Sequence, residues 1–170
     1  MGSLVIKHLP MANTYTQLYV HVVFSVKGRA SCIGSEWKEN LYRYITGLIT
    51  HKEQRLMIVN GVADHIHLLI GLKPDCNLSD LVRDLKANSS RWINENKLVA
   101  GRFAWQTGFG AFSVGQSQLQ RVVNYILNQE EHHRKKSFKK EYIEFLDSNG
   151  IVFRPEYLFD DYGAAPTELN

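Results

Sequence analysis

The sequence predicts an α+β fold in which helices cover one face of an antiparallel sheet. Strand-like and helix-like stretches follow one another in the order βαββαβ, and one more helix comes after the last strand. The two middle strands, at residues 55–62 and 65–72, are separated only by Ala63 and Asp64, which indicates a tight turn. This order of elements is the ferredoxin-like pattern.

Each remaining element of that pattern has its own signal. The first strand is predicted at residues 17–27, where alternate residues are apolar: Leu18, Val20, Val22 and Phe24. The first helix is expected to begin near Ser35, with an apolar stripe made of Trp37, Leu41, Tyr44, Ile45, Leu48 and Ile49. The second helix, from about Asn77 to Asn96, carries Leu78, Leu81, Val82, Leu85, Trp92 and Ile93. The last strand is expected within residues 103–114.

The helix after the last strand is predicted at residues 117–129. Ser117 and Gln120 have the spacing of a capping box, and apolar residues then repeat at helical spacing: Leu119, Val122, Val123, Ile126 and Leu127. Tyr125 lies well away from the centre of this stripe, so it is not an obvious core residue. Arg121 precedes it by one turn and Gln129 follows by one turn, so three polar side chains share one surface.

Two histidines stand two residues apart on the strand at 65–72. Strand side chains alternate, so His65 and His67 project from one face while Ile66, Leu68 and Ile70 cover the other. Two neutral imidazoles on one face form half of a metal site, and burying them without partners would be costly. An alternative is equally open at this point: the rings face solvent or bond to carboxylates, and bind no metal. A third ligand elsewhere in the chain would decide.

These residues and their order resemble the single-tyrosine transposases of bacterial insertion sequences, members of the HUH endonuclease superfamily. The resemblance runs from about residue 14 to about residue 134. His-x-His alone is a weak signal. The specific signal is the order of three motifs along the chain: His-x-His, then the Trp-, Gly- and aromatic-rich block at residues 103–115, then Tyr-x-x-x-Gln. The resemblance implies that His65, His67 and Gln129 hold a divalent cation, Mg²⁺ or Mn²⁺, and that Tyr125 is the nucleophile.

The chemistry of these residue types is consistent with that implication. A phenol has a pKa of about 10 and is mostly protonated at neutral pH, so it needs orientation and charge stabilisation when it attacks phosphorus. Three neutral ligands leave positions for phosphate and water, whereas structural zinc is disfavoured because it prefers four protein ligands. The product would be a 5′-phosphotyrosine that retains the phosphodiester energy. No nucleotide cofactor is expected, because the glycines match neither nucleotide-binding pattern.

The resemblance also implies partners. It predicts single-stranded DNA hairpins as substrates and a homodimer in which the Tyr125 helix is delivered from the partner subunit, giving composite active sites. The formal charge of +3 is only mildly basic. Candidate DNA contacts are Arg83, Lys86, Arg91, Arg121 and Arg134. We expect no membrane association and a cytoplasmic protein, associated with the bacterial nucleoid when bound to DNA.

Three segments are predicted: an N-terminal leader at residues 1–13, a catalytic domain at 14–136, and a C-terminal helix and tail at 137–170. The C-terminal extension resembles that of domesticated relatives found beside repetitive extragenic palindromes, so a hairpin-specific endonuclease that does not mobilise its own element is one alternative. A second is a ferredoxin-like nucleic-acid-binding module without catalysis. A third is a phosphodiesterase that uses activated water, for which cleavage would survive loss of Tyr125.

Overall fold

The computed structural model describes residues 15–30, 32–134, 136–155 and 158. A four-stranded antiparallel sheet has the order β2-β3-β1-β4, with β1 at Leu18–Ser25, β2 at Arg55–Val62, β3 at His65–Leu72 and β4 at Gly110–Val114. The helices are α1 (Lys38–His51), α2 (Leu78–Glu95), α3 (Leu119–Leu127), α4 (Gln129–His133) and α5 (Phe138–Ser148). The predicted βαββαβ order is confirmed. The predicted leader lies outside the described residues.

Helices α1 and α2 cover one face of the sheet, as predicted. Ile66, Leu68 and Ile70 of β3 are fully buried against apolar residues of both helices, among them Leu41, Ile45, Ile49, Leu81, Leu85 and Ile93. Burying one such side chain contributes about 1.5–3 kcal/mol. This packing fixes which way β3 faces, so its alternate residues point to the other side of the sheet.

The opposite face of the sheet is also covered, by α3, α4 and α5. Leu69 and Ile126 are fully buried there beside Val114. Farther along the same face, Val23 and Phe112 pack against apolar residues of α5, namely Phe138 and Leu146. The sequence predicted that helices cover one face of the sheet, and α1 and α2 do so. The helices on the second face go beyond that prediction. As a consequence, His65 and His67 lie in the interior of the protein and not on an open sheet surface.

The Tyr125 helix begins later than predicted. Residues Gln116–Gln118 form a 3-10 turn, and α3 starts at Leu119. The side chain of Gln118 accepts a hydrogen bond of 3.2 Å from the backbone N–H of Gly115. Gln118, and not Gln120, is therefore the side chain that bonds back to the backbone at the start of this helix. The predicted capping box of Ser117 and Gln120 is therefore wrong: Gln120 instead donates to Asn124, at 3.0 Å.

The predicted single helix is also divided in two, because α3 ends at Leu127 and α4 begins at Gln129. Asn60 of β2 causes this break. Its side-chain amide donates to the carbonyl oxygens of Ile126 (2.9 Å) and Leu127 (3.0 Å). These carbonyls would otherwise accept the helical hydrogen bonds of the next turn. The break leaves Gln129 at the start of a new helix with its side chain fully buried. None of the described helices is long and apolar enough to cross a membrane.

The β2–β3 hairpin depends on a glycine at position 61. A methyl group there would collide with the backbone oxygen of His65 and would lie 2.8 Å from the Cα of Ile66. We expect Gly61→Ala to lower the free energy of unfolding by about 2 kcal/mol, because backbone atoms cannot move aside cheaply. This corresponds to a fall in Tm of roughly 4–8 °C in thermal denaturation.

Gly47 in α1 is the matched control for that substitution, because a methyl group there meets nothing within 4 Å. Gly47→Ala is expected to raise the free energy of unfolding by about 0.5–1 kcal/mol through the gain in helix propensity. A Gly61→Ala protein that melts at or above the wild-type temperature would contradict the close contact at the hairpin.

Candidate metal and nucleophile site

The buried face of β3 forms the centre of a cluster of metal-ligating groups. His65 and His67 are both fully buried, and their Nε2 atoms point towards His133 at the end of α4 and Glu141 in the first turn of α5. One ligand atom from each of these four residues lies within 4.8 Å of the others. The sequence predicted the two histidines of β3, but it did not predict His133 or Glu141.

The rings of His65 and His67 are oriented by partners on their outer nitrogens. Nδ1 of His65 lies 2.6 Å from Oδ1 of Asp64, and Nδ1 of His67 lies 2.9 Å from Nε2 of His21 on β1. When Nδ1 carries the proton and donates it to such a partner, the lone pair of Nε2 is left for a cation. Asp64 and His21 thus direct two Nε2 lone pairs into the cluster.

The electrostatics of the site favour neutral imidazoles. Burial lowers the pKa of His21 to about 4. Burial and the neighbouring imidazoles lower the pKa of His67 well below its usual value. Burial likewise lowers the pKa of His133 to about 4 and raises that of Glu141 to about 8. Neutral imidazoles are the form that binds metal ions.

Several buried polar atoms of the cluster have no hydrogen-bond partner in the described chain. They are Nε2 of His65, His67 and His133, Oε1 of Gln129 and Oε2 of Glu141. Leaving one such atom unpaired costs about 1–3 kcal/mol, so five in one place require an explanation. A divalent cation would satisfy them together, and imidazole, amide and carboxylate are suitable ligands. The residues present therefore fit a metal ion. The alternative, in which the histidines only bond to carboxylates, explains the contact of Nδ1 of His65 with Asp64 but not the unpaired Nε2 atoms.

Tyr125 of α3 lies beside the same histidines. Its ring centroid is 5.9 Å from that of His67 and 6.2 Å from that of His21. Its hydroxyl is buried and has no hydrogen-bond partner among the described residues. The ring contacts Phe145 of α5, with 5.5 Å between centroids, and it lines a pocket of about 220 Å³ between α3 and α5. All of these groups belong to one chain.

Gln129 connects the nucleophile and the cluster. Its Nε2 donates to the backbone oxygen of Tyr125 at 3.4 Å and lies 3.5 Å from Oε1 of Glu141, while its Oε1 is unpartnered. The structure thus brings together His65, His67, Tyr125 and Gln129, the four residues that the sequence predicted for catalysis and metal binding.

The predicted DNA contacts are spread over the molecule. Arg83 pairs with Asp80 and Asp84, and Arg134 pairs with Glu131. Lys86 donates to the backbone oxygens of Gln106 and Gly108, which engages its ammonium group within the protein. Arg91 and Arg121 are exposed on α2 and α3. A role in DNA binding stays a prediction for all five: Arg83, Lys86, Arg91, Arg121 and Arg134.

His21 offers a direct test of the orienting contacts. We expect His21→Phe to weaken the binding of Mn²⁺ about ten- to hundredfold, because Nδ1 of His67 loses its acceptor while the buried ring volume is kept. Calorimetric titration of the protein with Mn²⁺ measures this. Tyr19→Phe, two residues earlier on β1, is the matched control and should bind as the wild type does. Equal affinity of the His21→Phe and wild-type proteins would refute the orienting role.

Comparisons with known proteins give a consistent result. The family model of IS200-like transposases matches residues 14–129. The transposase for insertion sequence element IS200 of Salmonella typhimurium is 26% identical over 129 residues, covering 73% of this chain and 84% of that protein. The ISDra2 transposase TnpA of Deinococcus radiodurans is 24% identical over 119 residues, covering 66% and 84%.

Two solved structures share the fold. One is a protein of Deinococcus radiodurans R1 assigned as a transposase, with a TM-score of 0.57, 23% identity, and coverage of 69% of this chain and 94% of that chain. The other is a REP-associated tyrosine transposase bound to a REP hairpin, with a TM-score of 0.56, 14% identity, and coverage of 89% and 92%.

Proposed function

Because the chain belongs to the IS200-like transposase family, and is therefore a DNA-cleaving enzyme, we propose that it cleaves and rejoins single-stranded DNA through Tyr125. The observation that carries this proposal is the position of the Tyr125 ring, 5.9 Å from the ring of His67 and beside a cluster of unpartnered metal-ligating atoms. A nucleophile and a cation site so close together suit attack on a phosphodiester.

In the proposed reaction, Oη of Tyr125 loses its proton and forms a bond to phosphorus. The bond between phosphorus and the 3′ oxygen breaks, and that oxygen takes up a proton to become a free 3′ hydroxyl. Tyr125 then carries the 5′ phosphate. Rejoining is the reverse exchange, in which a 3′ hydroxyl attacks the phosphotyrosine. Because one phosphodiester replaces another at each step, the cycle consumes no nucleotide.

His65, His67 and Gln129 are the residues proposed to hold the catalytic cation, Mg²⁺ or Mn²⁺. When bound, the cation supplies polarisation of the scissile phosphate and stabilisation of negative charge on the leaving oxygen. Asp64 and His21 keep the two imidazoles in the tautomer and direction that ligation requires. The backbone oxygen of Tyr125, which accepts from Gln129, ties the nucleophile's helix to the third ligand.

The proposed substrates are single-stranded DNA hairpins. The REP-associated relative with a similar fold is bound to a REP hairpin, and we extend this binding mode to the present chain. The test is to incubate the protein with labelled hairpin oligonucleotides and Mn²⁺, with a chelator as control, and to look for a protein–DNA adduct that survives denaturation. A cation-dependent adduct is expected. Nicking without an adduct would favour hydrolysis by activated water, and binding alone would favour a nucleic-acid-binding module.

The subunit that supplies Tyr125 can be tested by complementation. The resemblance implies a homodimer with composite sites, and that arrangement stays a prediction. In the described chain, however, Tyr125 lies beside the histidines of its own chain. This proximity favours a site within one subunit. We therefore expect a mixture of Tyr125→Phe and His67→Leu proteins, each inactive alone, to form no adduct. Adduct formation by the mixture would establish composite sites, because one mixed site would then contain both intact residues.

A further inference from the structure

Two ligand atoms of the cluster come from the part of the chain beyond the family match, which ends at residue 129. Oε2 of Glu141 lies 3.0 Å from Nε2 of His133, and 3.7 Å and 3.9 Å from Nε2 of His65 and His67. His133 belongs to α4 and Glu141 to α5. A carboxyl oxygen thus faces three imidazole nitrogens. The 3.0 Å contact with His133 does not have hydrogen-bond geometry, so none of these four atoms has a hydrogen-bond partner in the described chain.

The packing of α5 holds Glu141 in this position. The ring of Phe138 stacks on His65 with 4.0 Å between centroids, and Ser137 caps the helix by accepting from the N–H of Lys140 at 3.5 Å. One turn after Phe138, the ring of Tyr142 lies against Gly110. A methyl group at Gly110 would come within 2.8 Å of this ring. The first turn of α5 is therefore fixed against the sheet on both sides of Glu141.

Within the part of the chain that the structure describes, no lysine or arginine side chain forms an ion pair with Glu141. Among the described residues, the basic side chains within 4.0 Å of its carboxyl oxygens are those of His65, His67 and His133 only. Its side chain is 4% exposed. Ionising a carboxyl group that is buried without a cationic partner costs several kcal/mol. A bound cation would remove this cost and would satisfy the three imidazoles at the same time.

We propose that His65, His67, His133 and Glu141 form a closed four-ligand site for Zn²⁺. This inference rests on the proposed function only in that His65 and His67 serve both cations. Three imidazoles and one carboxylate suit a tetrahedral zinc ion, whereas Mg²⁺ prefers six oxygen ligands. This four-ligand site revises the prediction from the sequence that structural zinc is disfavoured, because that prediction assumed only three protein ligands.

The four-ligand site has a structural consequence. A tetrahedral ion with four protein ligands keeps no position for a phosphate, in contrast to a catalytic site with an open position. Because one ligand is on α5, the bound ion also fixes α5 over Tyr125. The zinc-bound form is thus a closed form of the protein, distinct from the form in which His65, His67 and Gln129 hold the catalytic cation.

The site is tested by metal binding, without reference to activity. The full chain is titrated with Zn²⁺ in competition with a chromophoric chelator, and with Co²⁺, whose visible absorption is intense in a tetrahedral site. We expect one ion per chain, and an affinity for Zn²⁺ that falls at least about tenfold in both Glu141→Gln and His133→Gln. Asp147→Asn, an exposed position on the same helix, is the control and should match the wild type. Equal affinity in all four proteins would overturn the proposal.

A second measurement needs no variant. Hydrogen exchange of the α5 amides in the wild-type chain is expected to slow at least about tenfold when Zn²⁺ is added, and unchanged exchange would refute the role of Glu141. The Mn²⁺-dependent adduct assay separates this inference from the proposed function. If no adduct forms but zinc binding depends on Glu141, the proposed function alone fails. If an adduct forms but zinc binding does not depend on Glu141, the four-ligand site alone fails.

Discussion

Tyr125→Phe is expected to abolish the covalent protein–DNA adduct while the fold and hairpin binding are retained. The substitution removes only the hydroxyl, which makes no hydrogen bond within the described chain, so no native contact is broken. The ring contacts with His132 and Phe145, at 4.8 Å and 5.5 Å between centroids, remain available to phenylalanine. Because the proposed nucleophile is lost completely, adduct formation should fall at least about a thousandfold.

Denaturing gel electrophoresis with a labelled hairpin measures this loss, and a mobility-shift assay measures binding. Tyr44→Phe is the matched control, since Tyr44 belongs to α1 on the opposite face of the sheet and stacks on Trp92. The control should form the adduct at the wild-type rate. A Tyr125→Phe protein that still forms an adduct would reveal another nucleophile, whereas one that still nicks DNA without an adduct would indicate activated water.

The sequence predicts the sheet well because its signals are local. Strands β2 and β3 have the predicted limits, 55–62 and 65–72, since a two-residue turn and the alternation of side chains together fix the register beside the turn, up to the irregularity between Leu56 and Ile58. The second helix begins where the sequence predicts, near Asn77, whose side chain caps α2 by accepting from the N–H of Asp80 at 3.1 Å. The same alternation predicts that His65 and His67 share a face, and it places His21 opposite the core face of β1. His21 is thus a site residue that the strand pattern could have indicated.

The parts that the sequence does not predict depend on distant contacts. The break between α3 and α4 is caused by Asn60, which lies 66 residues before Ile126 in the chain, and nothing local to Asn128 indicates it. His133 joins the site because the end of α4 lies beside β3, with 4.5 Å between the ring centroids of His133 and His65. Glu141 joins it because α5 folds back over the sheet, with Phe138 on His65. Helical spacing shows that Glu141 is on a helix, but it cannot show which residues that helix covers.

His67→Leu is expected to remove both cation binding and adduct formation. His67 is fully buried, its Nδ1 contacts His21, and its ring centroid is 5.9 Å from that of Tyr125. Leucine keeps the interior filled but offers no lone pair. We expect the affinity for Mn²⁺ to fall at least about a hundredfold, and no adduct to form.

The stability of the His67→Leu protein shows whether that loss is specific. In the absence of metal, leucine relieves the crowding of buried imidazoles but leaves Nε2 of His21 without its partner, which costs about 1–3 kcal/mol. We therefore expect a cooperative thermal transition at or somewhat below the wild-type Tm, with the increase in Tm on adding Mn²⁺ lost. His51→Leu, at the exposed end of α1, is the control and should keep that increase. A His67→Leu protein that Mn²⁺ stabilises as much as the wild type would show that the cation binds elsewhere, and the catalytic role of the histidine pair would then be wrong.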